Sequence, residues 1–125
     1  MSITQTKFGT TPENQEVTCF TLINENGLKA KIINYGASIT ELYVPDKNKK
    51  FDDIVLGFSD LNGYLKNEPY FGCVVGRVAN RIAKGKFSIE NKSYQVPINN
   101  GNHCLHGGVK AFHKVLWNAK IVNED

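Results

Sequence analysis

Two glycine-rich polar clusters in the second half of the chain contain residue types suited to binding a small polar ligand. The first, residues 71–87, sets two arginines and an asparagine beside glycines, and the second, residues 102–108, places a histidine against a glycine pair. Glycine lets a backbone or a ligand approach closely. Arg, Asn and His side chains hydrogen-bond a polyhydroxylated ligand or move its protons. The sequence therefore predicts one polar pocket for a small molecule.

The first cluster contains Arg77 and Arg81, four positions apart with apolar residues around them. On one interpretation both are surface arginines whose stems lie on apolar neighbours. On the other, one of them donates bidentate hydrogen bonds to a ligand. Asn80 could add both a donor and an acceptor. The residues alone leave these two interpretations open.

The second cluster is centred on His106, which stands between Leu105 and the glycine pair Gly107-Gly108. A single histidine is more often structural than functional. The flanking glycines favour a functional role, because they leave one side of the imidazole open to a ligand. The residues alone leave both the structural and the functional interpretation of His106 open.

Three other kinds of site fit these clusters less well. A zinc site is not predicted, since the adjacent pair His103 and Cys104 cannot easily bind one tetrahedral ion and zinc ligands normally come as spaced pairs. The glycine spacing matches neither the dinucleotide-binding nor the Walker pattern. A nucleophilic Cys104 beside His103 and His106 stays open, because it requires surroundings that favour the thiolate.

Composition is typical of one soluble globular domain. The 125 residues are 41% hydrophobic and 22% charged, so we expect a single domain over residues 1–125. We expect neither a membrane-spanning segment nor a signal peptide, because the sequence has no long apolar run. Three cysteines, an odd number without metal-type spacing, favour the reducing cytoplasm.

Charge is distributed unevenly along the chain. The net charge of +3 is too small to indicate a nucleic-acid or membrane partner by itself. Residues 1–70 carry seven lysines and nine acids (−2), whereas residues 71–125 carry eight basic residues and three acids (+5). The basic half contains both polar clusters. A pocket for an anionic or hydroxyl-rich ligand and an ordinary solvated face explain this equally well.

The periodicity is mostly that of short β-strands, which predicts an all-β sandwich or barrel. An Asn-Gly turn joins the first two predicted strands into a hairpin, and Asn91-Lys92 joins residues 86–90 and 93–98 into a second one. The polar clusters fall in connections beside strands, where binding groups often lie. The predicted strands are residues 16–24, 28–33, 37–44, 53–58, 86–90, 93–98 and 115–122, and a short helix is predicted over residues 59–67.

The order of short motifs resembles the N-terminal part of the aldose 1-epimerase (galactose mutarotase) family. Each motif is weak alone, but together they are specific and span nearly the whole chain from about residue 8 onward. Aromatic residues at Phe112 and Trp117 also stand where the family tends to place them. The motifs are Asn34-Tyr35-Gly36-Ala37, Val44-Pro45-Asp46, the run from Asp53 to Phe58, Tyr70-Phe71-Gly72, the run from Gly76 to Ile82, and Leu105-His106-Gly107-Gly108.

The resemblance implies a fold, a substrate and site residues. It implies the N-terminal portion of a β-sandwich of the galactose mutarotase type, acting on a free hexose such as galactose or glucose with no metal and no organic cofactor. By the family pattern, Asn80 and Arg81 bind sugar hydroxyls, and His106 lies in the sugar site and aids catalysis. No sugar contact is assigned to Arg77.

Interconversion of α and β anomers explains these residue types. A base takes the proton of the C1 hydroxyl while an acid protonates the ring oxygen, and the opened ring closes on its other face. The sugar must be held so that only C1 turns, and Arg81 and Asn80 present several donors in a fixed plane. His106 can stabilise charge near the reacting oxygens or orient them.

Family members are longer single domains, and by the family pattern their principal acid, a second histidine, and their base, a glutamate, lie downstream of this region. Neither Glu90 nor Glu124 stands in a matching motif. We therefore expect a fragment of an epimerase. The alternatives are a short sugar-binding protein without turnover and a non-catalytic structural or interaction module. Unpaired strand edges of a partial sandwich would favour self-association.

Overall fold

A computed structural model describes residues 1–122 and shows an antiparallel sheet of five strands in sequential order. Consecutive strands pair with their neighbours, so the sheet is a meander built from local connections. Its strands are β1 (Ser2–Thr10), β2 (Glu16–Ile23), β3 (Lys29–Ile33), β4 (Ser38–Pro45) and β5 (Phe51–Asp53).

The predicted hairpin between β2 and β3 is confirmed, and Asn24 organises its turn. The Asn24 carbonyl accepts a hydrogen bond from the Gly27 amide at 3.0 Å. The Asn24 side chain accepts further bonds from the amides of Asn26 (3.0 Å) and Leu28 (2.9 Å). An Asn side chain commonly closes a tight turn in this way. The turn fixes the register in which Cys19 lies opposite Ile33.

The core lies where one face of the sheet meets a short helix, α1 (Leu61–Lys66). Asp60 caps this helix by accepting a hydrogen bond from the Gly63 amide at 3.0 Å, and the predicted short helix is confirmed. The helix contributes Leu61 and Tyr64 to the core. The sheet and its edge contribute Val17, Cys19, Ile33 and Tyr35.

The strand prediction for residues 53–58 is wrong, because the pairing between β4 and β5 ends at residue 53. The last paired residue is Asp53, opposite Tyr43. Its carboxylate accepts hydrogen bonds from the amides of Leu42 (2.8 Å) and Val55 (3.1 Å), so the side chain turns the following segment out of the ladder.

The final predicted strand, residues 115–122, is also wrong. This segment, which the structure describes throughout, makes one isolated antiparallel bridge between Leu116 and Tyr35. The Trp117 amide donates to the Asn34 carbonyl at 2.8 Å. Strand β1 was not predicted, because its residues are mostly polar, yet it pairs with β2 over almost its whole length.

The second half of the chain forms two small ladders. Strand β6 (Arg81–Ile82) pairs with β9 (Cys104–Leu105), and β7 (Lys86–Ile89) forms the predicted second hairpin with β8 (Lys92–Gln95). The expectation of an all-β fold is confirmed by this dominance of strands. Within residues 1–122, no helix is long and apolar enough to span a bilayer.

Candidate functional site

The pairing of β6 with β9 brings the two polar clusters together. Arg81 lies opposite Leu105 in this ladder, so Asn80 and His106 face each other at its end. The His106 amide donates to the Asn80 carbonyl at 3.0 Å, and the Asn80 amide donates to Nδ1 of the His106 imidazole, also at 3.0 Å. Two of the three predicted site residues are therefore joined by reciprocal hydrogen bonds.

These bonds define which nitrogen of His106 can meet a ligand. Because Nδ1 accepts from a backbone amide, the neutral imidazole carries its proton on Nε2. The side chain is half-buried, so this N–H is a donor available to a ligand oxygen.

Glycine at position 107 is what allows this arrangement. Gly107 has φ +90°, and a Cβ there would collide with the carbonyl of Gly76. The two polar clusters approach each other at this point, backbone against backbone. The absence of a side chain at Gly107 therefore permits a contact between two backbone segments.

Arg81 is exposed and held by the loop that precedes β9. Its Nε donates to Oδ1 of Asn100 at 3.2 Å. The neighbouring Asn99 braces that loop, since its side chain accepts from the Leu105 amide at 2.7 Å and donates to the Leu105 carbonyl at 3.0 Å. The Asn100 bond uses one of the five guanidinium donors and leaves the other four for a ligand.

Arg77 and Arg81, which residue type and spacing alone did not distinguish as ligand-binding or surface arginines, have different surroundings in the structure. The Arg77 guanidinium lies over the Phe112 ring, 5.2 Å from its centroid, and Phe112 packs edge-on against Trp117. Arg77 thus fits the interpretation of an arginine resting on apolar neighbours. Arg81 has a polar partner, as a ligand-binding arginine would.

Sequence reasoning missed three residues at this site: Tyr70, Asn100 and His113. The Tyr70 ring centroid lies 4.8 Å from the imidazoles of both His106 and His113. The motif containing Tyr70 was recognised, but nothing local indicated that its ring would meet a histidine from a distant loop. His113 is buried, and within residues 1–122 its Nδ1 has no hydrogen-bond partner.

Burial is the main cause of an altered pKa at His113. It lowers the pKa of the imidazole, and the nearby charges of Lys114 and His106 lower it further. His113 is therefore neutral around pH 7, which suits an imidazole packed against the Tyr70 ring.

A cleft of about 410 Å³ opens beside these residues, within the range of small-molecule pockets, roughly 300–1,000 Å³. None of the three predicted site residues, Asn80, Arg81 and His106, lines this cleft, so the prediction that they share one pocket is not confirmed by it. Arg81 and His106 adjoin residues that do line it. They are connected to it through Asn100 and Tyr70, which do. The cleft is lined by Lys66, Asn67, Glu68, Tyr70, Asn99, Asn100, Gly108, Val109, His113 and Lys114.

Two of the three cysteines lie in surroundings that disfavour nucleophilic chemistry. Burial raises the pKa of the Cys19 and Cys73 thiols, which disfavours their thiolates at neutral pH. Cys104 is buried against the backbone of Gly108. Among the described residues, no three His, Cys, Asp or Glu side chains are grouped as a set of metal ligands.

Comparison with known proteins gives consistent matches. The sequence model of the family described as aldose 1-epimerase matches residues 18–125. The galactose mutarotase of Bos taurus is 46% identical over 123 residues, which cover 98% of this chain and 36% of that protein. The chain thus spans about a third of the length of the curated relatives it matches.

Solved structures show the same fold. The aldose epimerase homologue from C. elegans superposes with a TM-score of 0.77 at 36% identity, over 83% of this chain and 32% of that one. Galactose 1-epimerase from Lactobacillus acidophilus gives a TM-score of 0.78 at 25% identity, over 94% and 33%. The expected fold, the N-terminal portion of a mutarotase-type β-sandwich, is confirmed.

Proposed function

This chain belongs to the aldose 1-epimerase family, and on that premise we propose that it supplies hexose-binding residues of an enzyme that interconverts the α and β anomers of free hexoses such as galactose and glucose. The observation that carries the proposal is the reciprocal pair of hydrogen bonds between Asn80 and His106 beside Arg81. Arg81, Asn80 and His106 belong to, or directly adjoin, the same short β6–β9 ladder, which supports the proposal.

Arg81 and Asn80 bind the sugar. Arg81 is exposed and uses only its Nε–H on Asn100, so its remaining donors can hold neighbouring sugar hydroxyls. Asn80 has φ +61°, in the left-handed region, and its exposed side-chain amide can both donate and accept. Together they hold the ring while C1 turns.

His106 acts at the reacting oxygens. Its Nε2–H can donate to an oxygen on which negative charge develops as the ring opens, while Nδ1 stays bonded to the Asn80 amide. The substrate itself supplies the oxygens, so no cofactor is required. His106 is the residue of this chain that we assign to catalysis.

The principal acid and base come from elsewhere in the enzyme. Glu90 is exposed at the tip of the β7–β8 hairpin, and Glu124 lies outside the described residues. The chain covers 36% of the Bos taurus galactose mutarotase, which is consistent with residues 1–125 being the N-terminal portion of one epimerase domain. We propose that the second histidine and the glutamate belong to the remaining two thirds.

Calorimetric titration with galactose tests the binding site. Arg81→Ala is expected to weaken galactose binding about tenfold or more, because it removes charge-assisted hydrogen bonds. Arg77→Ala is the matched control, an arginine of the same motif that rests on Phe112. Equal affinities of the two variants for galactose would overturn the assignment.

Polarimetry tests whether this chain alone catalyses mutarotation or needs the acid and base that we assign to the rest of the enzyme. With freshly dissolved α-D-galactose, this chain alone is expected not to accelerate mutarotation over buffer, because it lacks the proposed acid and base. Acceleration that disappears in His106→Ala would show instead that residues 1–125 suffice for turnover.

The alternative function is a non-catalytic carbohydrate-binding or structural β module. An exposed apolar groove of about 600 Å³ favours a role in association; Ile82, Phe87 and Phe112 are among its lining residues. Strands β1 and β5 also present the unpaired edges of the sheet. We therefore propose self-association, to be measured by sedimentation; a monomer at all concentrations would exclude it.

The three free cysteines support a cytoplasmic location.

A further inference from the structure

We propose that Tyr70 is a positioning residue for His106. The Tyr70 ring lies between the imidazoles of His106 and His113 and fixes the plane of the His106 ring, so that Nδ1 faces the Asn80 amide and Nε2 faces the ligand. The inference rests on the proposed function only where it concerns hexose affinity. The orientation of His106 can be measured independently of any sugar.

The backbone around Tyr70 is fixed by its neighbours. Tyr70 has φ +61°, and its amide donates to the Asn67 carbonyl at 3.2 Å. Asn67 is buried, and its side chain accepts from the Phe71 amide at 2.8 Å and donates to the Phe71 carbonyl at 3.0 Å. The Cys73 thiol donates to the Tyr70 carbonyl at 3.3 Å. The tyrosine is therefore presented from a fixed backbone rather than from a mobile loop.

The ring geometry is the one that aromatic pairs prefer. Tyr70 meets His106 at an interplanar angle of 68° and His113 at 67°, both edge-to-face with centroids 4.8 Å apart. A single hydrogen bond at Nδ1 leaves an imidazole free to tilt about that bond. The Tyr70 contact restricts this tilt from a second direction.

His113 supports Tyr70 from the other side. It is only 4% exposed and lies in the 3-10 turn Phe112–Lys114. Val115 follows this turn, and its carbonyl accepts a hydrogen bond from the Gly36 amide at 2.8 Å. Because Gly36 lies in the connection between β3 and β4, this bond joins the turn to the sheet. A continuous set of contacts thus runs from the sheet through His113 and Tyr70 to His106.

The test is the tautomer of His106, read from the ¹⁵N chemical shifts of its imidazole at alkaline pH. The wild type should show the Nε2–H form. Tyr70→Ala should give a mixture of both tautomers, whereas Tyr70→Phe, which keeps the ring, should restore the wild-type shifts. Tyr94→Ala, which removes a ring stacked on Phe87 in the β7–β8 hairpin, is the control and should leave them unchanged.

If Tyr70 only fills space and does not orient His106, a different result is expected. In that case Tyr70→Ala lowers stability but leaves His106 fully in the Nε2–H form, and this outcome overturns the proposal. If Tyr70→Ala does not fold, the wild type decides: nuclear Overhauser contacts between the Tyr70 ring and the His106 imidazole are expected, and their absence overturns the proposal.

Galactose affinity gives the functional consequence. Tyr70→Ala should weaken galactose binding about tenfold and Tyr70→Phe by less than about twofold, because only the former frees the imidazole. If the wild type binds no galactose, the proposed function fails while the tautomer result still decides the role of Tyr70. Unchanged galactose affinity in Tyr70→Ala, with a mixed tautomer, would overturn the link to binding.

Discussion

The two halves of this chain are stabilised by different interactions. The first half forms a long-stranded sheet over a core in which Val17 and Ile33 are fully buried. The second half forms ladders of two to four residues and leaves apolar side chains such as Val78 and Ile89 half exposed. Hydrophobic burial therefore stabilises the first half.

In the second half, polar side chains bonded to the backbone determine the loop conformations. Asn99 holds Leu105 and the His106 imidazole holds Asn80. Three residues of the site, Tyr70, Asn80 and His106, adopt positive φ. Such backbone strain collects at functional sites and requires surrounding structure to maintain it. The comparison shows that the first half provides the stable framework and the second half carries the chemistry.

The largest expected difference between the halves is in how much an Ile→Ala substitution lowers the free energy of unfolding. Ile33→Ala should lower the free energy of unfolding by about 2–5 kcal/mol, because it opens a cavity at a fully buried position. Ile89→Ala, at a side chain 56% exposed, should change it by about 0.5 kcal/mol or less. Urea denaturation followed by circular dichroism measures both. Equal losses would contradict the claim that Ile33 contributes far more to stability through burial than Ile89 does.

A second comparison is made within the site region. Gly107→Ala should cost about 2 kcal/mol or more, because a left-handed alanine is strained and its Cβ meets the Gly76 carbonyl. Gly101→Ala is the matched control, since φ is also positive there but no atom lies within 4 Å of the added Cβ. Its expected cost is about 1 kcal/mol. If the two variants have the same denaturation midpoint, the close approach at Gly107 is not what stabilises the site.

A smaller effect concerns pH. The pKa of His113 is lowered in the folded protein, chiefly by burial, so the unfolded chain binds a proton more readily. The contribution of His113 to stability is present above its unfolded pKa of about 6.5 and is lost as the pH falls through the lower folded value. At pH values below about 6.5, the urea midpoint of the wild type should therefore decrease with falling pH more steeply than that of His113→Gln. Parallel pH profiles would contradict a buried neutral His113.

The smallest expected effect is that of an ion pair in the sheet. The Lys31 ammonium lies 2.9 Å from the Glu41 carboxylate, and this hydrogen bond raises the pKa of Lys31. Both side chains are about a third exposed, so Lys31→Met should cost no more than about 1 kcal/mol, less at high salt. Lys7→Met, at the more exposed pair with Glu16, is the control and should cost about 0. A larger loss at Lys7 would contradict this ranking.

Features set by neighbouring residues could be predicted from the sequence. The Asn-Gly hairpin, the helix capped by Asp60 and the second hairpin all depend on local turn and capping chemistry. Strand β1 could not be assigned because its mostly polar residues lack the apolar alternation of a half-buried strand, although it pairs with the adjacent β2. Residues 115–122 could not be assigned correctly, because their single bridge, from Leu116 to Tyr35, depends on a segment distant in sequence. The same holds for the site: the two polar clusters could be expected to lie near each other, whereas the contacts of Tyr70 with His106 and His113 depend on tertiary packing.

The most direct test of the account is a map of nuclear magnetic resonance shifts during a galactose titration of the labelled protein. The account predicts that the Nε–H of Arg81, the side-chain amide of Asn80 and the imidazole of His106 shift together with one dissociation constant. The Ser88 and Ser93 amides of the β7–β8 hairpin should not move. Saturating galactose that leaves Arg81 and His106 unshifted, or that shifts the hairpin instead, would contradict the claim that these residues form one hexose site.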